Sequence, residues 1–196
     1  MENEVLDIEQ NVSPIQNSKK VAKKWKKLTG GDFLVRKTKA KNIFIPEEWD
    51  EEQKMIVASV HDFILQEIIP NLDELDAQTD ATQMPSILER AGDMGFTGLS
   101  IAEEYGGMAL DFNTGLLFGE AVAPGFAFAT VIGCQTSIGS LPIVYYGTKD
   151  QKERYLPKIA TAEWKAAYCL TEPDAGSDAN SGKSKVVLNE AGTHYM

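Results

Sequence analysis

Apolar positions recur with helical spacing from about residue 50 onward. Asp50 can cap the first helix, and Gln53 lies three residues further on, where the partner of a capping box belongs. Pro70 predicts the end of this helix, because proline lacks the amide that a helix interior requires. The positions that share one helix face are Trp49, Gln53, Ile56, Val57, Val60, Ile64 and Ile68.

The same spacing predicts further helices over about 83–94 and 113–122. The segment 128–146 is apolar nearly all round, which predicts the buried centre of a helical bundle. A capping box that begins at Thr148 starts the last helix, which we expect to stop around Pro157.

Short alternating segments replace the helical spacing after Trp164. Segments 166–170, 183–188 and 193–196 read as the first strands of a β-domain, whose sheet would keep open edges and an uncovered apolar face. We therefore expect a mainly α fold, with an N-terminal helical bundle followed by an incomplete β-domain. The predicted divisions are a basic, partly flexible leader over 1–45, a helical domain over 46–163 and the start of a β-domain over 164–196.

Charge is distributed unevenly along the chain, whose formal net charge is -10. Residues 1–45 hold ten Lys or Arg against five acids, a balance of +5, so the remainder carries -15. An acidic body argues against non-specific binding of nucleic acid. The basic run 19–27 predicts either a solvated leader or an amphipathic turn against an acidic partner or an anionic membrane, and the leader is the simpler interpretation.

Residues 121–148 carry no charged side chain. Because Pro124, Pro142 and Gln135 interrupt this stretch, we expect a buried helix with flanking turns and no transmembrane segment. Acidic residues at the extreme N-terminus argue against a secretory or mitochondrial targeting peptide, so we expect a cytoplasmic protein. Cys134 and Cys169 have no CxxC spacing, which predicts reduced, buried thiols. With only two further candidate ligands, His61 and His194, no metal site is expected.

The candidate chemistry lies in the run 168–178, which reads YCLTEPDAGSD. Gly176 lets the main chain approach another body closely, and the hydroxyls of Thr171 and Ser177 can both donate and accept hydrogen bonds. Such a segment can form an ordinary β-turn that closes a hairpin, or it can contact the polar rim of a planar ligand. Spacing alone favours the β-turn.

The run resembles the signature of acyl-CoA dehydrogenases, flavoenzymes that form an α,β double bond in acyl-CoA thioesters. Two other segments resemble family motifs and occur in the family's order. Residues 101–107 are similar to its Pro-Glu-Glu-Tyr-Gly-Gly turn, with Ala102 in place of the proline, and residues 146–157 are similar to its Gly-Thr-x-x-Gln-Lys-x-x-Tyr-Leu-Pro helix. The stretches 30–34 and 135–139 resemble the long-chain or very-long-chain branch.

The resemblance implies FAD as cofactor and assigns a set of residues to its site. The implied flavin-binding residues are Tyr168, Cys169, Leu170, Thr171, Gly176 and Ser177. The amides of Leu170 and Thr171 and the Thr171 hydroxyl would face the electron-rich pyrimidine end of the flavin, where fixed donors stabilise the charge that develops. Ser177 would also contact the acyl-CoA substrate. Glu172, Pro173 and Asp178 are expected to shape or anchor the turn.

The family's catalytic base is a glutamate in a C-terminal helical domain, which would follow Met196, so no catalytic residue is assigned in this chain. We therefore expect the N-terminal part of a flavin-dependent acyl-CoA dehydrogenase of fatty acid β-oxidation, inactive on its own. The implied partners are acyl-CoA, electron-transfer flavoprotein and, in the full-length form, further copies of the same subunit. Two alternatives remain: a non-catalytic helical interaction subunit that keeps the family's shape, and an acyl-CoA oxidase-like flavoenzyme.

Overall fold

The computed structural model describes residues 31–35, 37–43 and 45–196 and divides into two units, residues 1–54 and 55–196. The described part of the first unit holds the short helix α1 (Asp32–Val35) and single 3-10 turns at Ala40–Asn42 and Pro46–Glu48. Most of the predicted leader, with its basic run, lies outside the described residues.

The remaining described chain is mainly helical, as the sequence predicts. Its helices are α2 (Glu51–Phe63), α3 (Leu72–Ala77), α4 (Gln83–Asp93), α5 (Phe112–Val122), α6 (Ala127–Thr136), α7 (Leu141–Tyr146) and α8 (Lys149–Ala160).

Pro70 interrupts the first long helix and does not end it. The regular helix α2 is followed by a π-helical stretch, Ile64–Ile68, and a 3-10 turn, Ile69–Asn71, which lead directly into α3. Proline cannot donate to the preceding turn. The Asn71 side chain instead donates a hydrogen bond to the Glu67 carbonyl oxygen at 3.1 Å, which satisfies one of the acceptors at the break.

The predicted capping boxes form at Asp50 and at Thr148. The Thr148 amide donates to the Gln151 side chain at 2.8 Å, and the Gln151 amide donates to the Thr148 hydroxyl at 3.3 Å, so α8 begins where expected. The helix then continues through Pro157 to Ala160, one turn beyond the predicted stop. Leu156, Ile159 and Ala160 are buried on one face of this last turn, and their packing offsets the lost hydrogen bond.

The predicted central helix over 128–146 is in fact two helices, α6 and α7. Between them, Gly139 packs so closely against Ala166 that a Cβ atom on the glycine would lie 2.7 Å from the alanine Cβ. Pro142 stands in the first turn of α7, a position that favours a new helix start. The break therefore has a packing cause, which is the approach of a segment far away in the sequence.

The expectation that this segment forms the buried centre is wrong. Only 22% of the apolar window in Ala127–Tyr146 is buried. Phe128, Ile132 and Gln135 are buried in α6, whereas α7 has no buried residue. Within the described part of the chain, Ala127–Tyr146 is also the one segment long and apolar enough to cross a membrane, with a mean hydropathy of 1.4. Core helices of globular proteins reach the same length and hydropathy, so the segment alone does not indicate a span.

The predicted strands are not formed. In the described residues after 164, the ladder contacts are two isolated antiparallel bridges, Glu172 with Ala175 and Leu188 with Tyr195. The second lies within a short hairpin in which the Val187 and Met196 backbones exchange hydrogen bonds of 2.9 and 3.0 Å. A strand is defined by its pairing partners, so alternation of side chains does not produce one where no neighbouring strand is present. The mainly α class holds, and the start of a β-domain stays a prediction.

The core of the second unit is built around four phenylalanine rings. Phe63 contacts Phe96 edge-on, with centroids 5.8 Å apart, and Phe128 at 5.7 Å, while Phe96 contacts Phe118 at 5.8 Å. Each ring is at most 6% exposed, so these buried aromatics join α2, α5 and α6 to the segment that follows α4. A second, smaller cluster positions the chain that leads to the candidate site. It consists of Ile101, Leu156, Ile159 and Ala160, with Ala166 packed against it.

Candidate functional site

The run 168–178 folds into a tight turn at its centre. The Glu172 amide donates to the Ala175 carbonyl at 3.0 Å, and the Ala175 amide donates back to the Glu172 carbonyl at 3.2 Å. Pro173 and Asp174 occupy the two corner positions, where the fixed φ of proline is favourable. The β-turn interpretation thus describes the local backbone, which is closed by one isolated antiparallel bridge between Glu172 and Ala175.

The predicted ligand-facing residues all lie on the surface of this turn. Tyr168 and Leu170 are 54% and 46% exposed. Cys169, Thr171, Gly176 and Ser177 are exposed as well. A Cβ on Gly176 would meet no atom within 4 Å, so the backbone is open to the outside at that point. The structure thus leaves all six residues exposed and does not enclose them in either of the cavities described below.

The two hydroxyls of the turn are available for a ligand. Thr171 and Ser177 side chains are exposed and have no hydrogen-bond partner among the residues that the structure describes. A hydroxyl that is turned inward against aliphatic side chains would argue against a ligand-binding role, and neither is. Both hydroxyls can therefore donate to and accept from a group outside the chain.

Two acidic side chains anchor the turn, in keeping with the expected roles. The Glu172 carboxylate accepts hydrogen bonds from the backbone amides of Lys183 at 2.6 Å and Ser184 at 3.0 Å. These amides, that of Lys183 first, hold the pKa of Glu172 below its ordinary value of 4.5, so the carboxylate is charged at neutral pH. Asp178 accepts a hydrogen bond from the Ser181 hydroxyl.

The sequence pattern assigns no role to Gln135, which holds the segment that leads into this turn. Gln135 of α6 is 1% exposed, and its side-chain amide donates to the carbonyl oxygens of Ile159 and Trp164, both at 2.9 Å. Its side-chain oxygen accepts from the Ala166 amide at 2.7 Å. One glutamine thus ties the end of α8 and the following segment to α6. The sequence signal for this role is that Gln135 is the one side-chain amide in the uncharged run 121–148.

The Gly106–Gly107 turn serves packing. Gly106 has φ of +82°, which favours glycine. A Cβ on Gly107 would lie 2.1 Å from the Ile101 carbonyl oxygen, and Ile101 is a member of the smaller core cluster. The Thr97 hydroxyl also donates to the Ala160 carbonyl at 2.6 Å. These contacts fix the loop after α4 against α8, beneath the segment that enters the candidate site.

Two cavities are present elsewhere in the second unit. The larger, about 590 Å³, lies between α3, α4 and α6 and is lined mainly by apolar side chains, among them Leu75, Met84 and Val131. The other, about 440 Å³, lies between α5 and α6, where Gly119 and Gly133 leave space. Neither is lined by a residue of the run 168–178, so the predicted site residues do not belong to either cavity.

The cysteines and the possible metal ligands add no further residue to the candidate site. Cys134 is half-buried and Cys169 is exposed, so the prediction of two buried thiols is wrong, while both are free. Over the ranges 31–35, 37–43 and 45–196, no group of three or more His, Cys, Asp or Glu side chains is placed to hold a metal ion.

Comparison with known proteins identifies a family for most of this chain. The family model described as "Acyl-CoA dehydrogenase, N-terminal domain" matches residues 50–163. A probable acyl-CoA dehydrogenase of Bacillus subtilis is 40% identical over 167 residues, which is 85% of this chain and 28% of the relative. The human very long-chain specific acyl-CoA dehydrogenase of mitochondria is 38% identical over 122 residues, covering 61% of this chain and 19% of that protein.

The fold also matches a solved structure. An acyl-CoA dehydrogenase from Bacillus anthracis, crystallised in complex with FAD, superimposes with a TM-score of 0.80 at 43% identity. The match covers 85% of this chain and 29% of that one. The chain therefore spans less than a third of the length of these relatives.

Proposed function

The chain belongs to the acyl-CoA dehydrogenase family, and on that premise we propose that it supplies the helical domain and one wall of the FAD site of an enzyme that dehydrogenates acyl-CoA thioesters. The family match over residues 50–163 carries the proposal, and the exposed hydroxyls of Thr171 and Ser177 are compatible with it. The Bacillus anthracis relative, with FAD bound, supports the choice of cofactor.

The residues of the turn have defined tasks in this proposal. When bound, FAD would accept the β-hydride of the acyl-CoA while a carboxylate takes the α-proton. The amides of Leu170 and Thr171 and the Thr171 hydroxyl would donate hydrogen bonds to the pyrimidine end of the flavin. They would thereby stabilise the negative charge that arrives there, and Ser177 would contact the flavin and the acyl-CoA.

We propose that none of the acidic residues of this chain is the catalytic base. Glu103 and Glu104 lie in the turn that precedes Gly106, where their neighbours serve packing, and Glu120 is exposed on α5. The base and the contacts to the adenosine end of FAD would come from sequence that these 196 residues do not contain. The likeness to a very long-chain dehydrogenase supports a long acyl chain. Electron-transfer flavoprotein is the electron acceptor that the family resemblance implies.

Two measurements on the purified chain test this proposal. After incubation with excess FAD and gel filtration, we expect retained flavin absorbance well below one FAD per chain, and no turnover of acyl-CoA with an artificial electron acceptor. The FAD-binding relative from Bacillus anthracis, treated in parallel, serves as the positive control. A stoichiometric yellow complex, or turnover, would show that the chain holds a complete site and would contradict the proposed division of the site.

A further inference from the structure

The segment 173–182, which carries Gly176 and Ser177, is closed at its base by one side chain. Glu172 Oε2 lies 2.6 Å from the Lys183 amide nitrogen and 3.0 Å from that of Ser184, and Oε1 lies 3.3 Å from the latter. The backbone of Glu172 also pairs with Ala175 across the turn. One residue therefore joins both the start of the loop and its end, eleven and twelve positions further along.

Little else holds this loop in place. Ala175, 4% exposed, is its buried apolar residue among those described. The ion pair of Lys183 with Asp174 is 3.3 Å long, but the two side chains are 75% and 72% exposed, and exposed pairs of this kind contribute little. Hydrogen bonds from amides to a charged carboxylate are about twice as strong as neutral ones. The Glu172 contacts are thus the dominant constraint on the loop.

The backbone at the far end of the loop is fitted to this carboxylate. A Cβ on Gly182 would lie 3.1 Å from Glu172 Oε1, tighter than an ordinary contact, with the carboxylate carbon 3.5 Å away. Glycine at this position allows the main chain to come close enough for the two following amides to reach the oxygens.

We propose that Glu172 is a positioning residue whose carboxylate closes the 173–182 loop and thereby holds Thr171 and Ser177 on one surface for a flavin. The choice of a flavin as the ligand depends on the proposed function, whereas the closure of the loop by Glu172 does not. The role differs from that of the flavin-contacting residues, because Glu172 would act on the ligand only through the backbone that it fixes.

The lowered pKa of Glu172 gives the closure a defined pH range. Because the pKa is lower in the folded chain than its ordinary value of 4.5, the closure is complete above that value and is lost as the pH falls through the lowered pKa. The other charged groups in the loop or next to it are Asp174, Lys183 and Asp178. The first two pair with each other, and Asp178 accepts from Ser181.

The closure is tested by amide hydrogen exchange, resolved by NMR on the full chain. Glu172→Gln keeps the shape but removes the charge, and Glu172→Ala removes the acceptor. We expect the protection factors of the Lys183 and Ser184 amides to fall at least about tenfold in both variants. Glu190→Gln is the matched control, because this exposed acid lies outside the loop. Unchanged protection in both Glu172 variants would overturn the proposal.

The consequence for the ligand is tested by adding FAD and following the amide signals of Thr171 and Ser177. The wild-type chain should give saturable shifts, and Glu172→Gln should require about tenfold more FAD for the same shift. If the variant matches the wild type, the positioning role is wrong even where the loop has opened. If FAD shifts nothing in the wild type, the proposed function fails, and hydrogen exchange still decides whether Glu172 closes the loop.

Discussion

Replacing Gln135 by leucine is expected to lower the free energy of unfolding by about 3 kcal/mol or more, because the change removes three hydrogen bonds at once. The carbonyls of Ile159 and Trp164 would lose a donor, and the Ala166 amide would lose its acceptor. These backbone groups are buried or partly buried, so water cannot replace the glutamine freely. Urea unfolding followed by circular dichroism measures the difference.

Gln66→Leu is the matched control for this prediction, since Gln66 is exposed and its replacement should change the stability by less than about 0.5 kcal/mol. If Gln135→Leu is no more destabilising than Gln66→Leu, then the link between α6 and the segment entering the candidate site does not exist as described.

Replacing Gly107 by alanine should destabilise the fold by about 3 kcal/mol or prevent folding. The new methyl group would lie 2.1 Å from the Ile101 carbonyl oxygen and 2.6 Å from its Cβ. Ile101 is 1% exposed, and its carbonyl also accepts from the Ala109 amide at 2.9 Å, so the neighbour cannot move aside without cost.

The control for Gly107→Ala is the same change at Gly115 of α5, where a Cβ would meet no atom within 4 Å. Alanine there should stabilise the chain by about 0.5–1 kcal/mol, because glycine is a poor helix former. The two variants add the same methyl group with opposite expected signs. Equal stabilities of the two variants in urea would contradict the packing described for the Gly106–Gly107 turn.

Local features of the fold could be predicted from the sequence, and long-range ones could not. The capping boxes at Asp50 and Thr148 each join residues three positions apart, and both form, the first with hydrogen bonds of 2.8 and 3.2 Å. Gly95, just after α4, has φ of +82°, the left-handed conformation that glycine favours at the end of a helix. These signals are contained within single turns of chain, so a short window of sequence suffices to recognise them.

The break between α6 and α7 depends on distant parts of the chain. Gly139 meets Ala166, and Gln135 bonds to residues 24 to 31 positions away. Nothing in the local pattern of 128–146 shows these partners, so the segment reads as one continuous helix. The strands predicted after residue 164 failed for the same reason, because a strand exists only through its neighbours.

The candidate site came from family resemblance and not from spacing. The spacing of Pro173 and Gly176 predicts a β-turn, and the structure has one. The same turn in any other protein would also expose hydroxyls, so its geometry alone does not specify a flavin. The anchoring by Glu172 joins residues 11 and 12 positions apart and could not be read from the motif.

The most direct test of the account is to map where FAD acts on the isotopically labelled chain by NMR. If the turn is one wall of a flavin site, the amide signals of Tyr168–Ser177 should shift together and saturably. The amide signals of α8 that precede its last turn should stay in place. Shifts that cluster around the cavity between α3, α4 and α6, or no shifts at all, would contradict the claim that this turn binds the flavin.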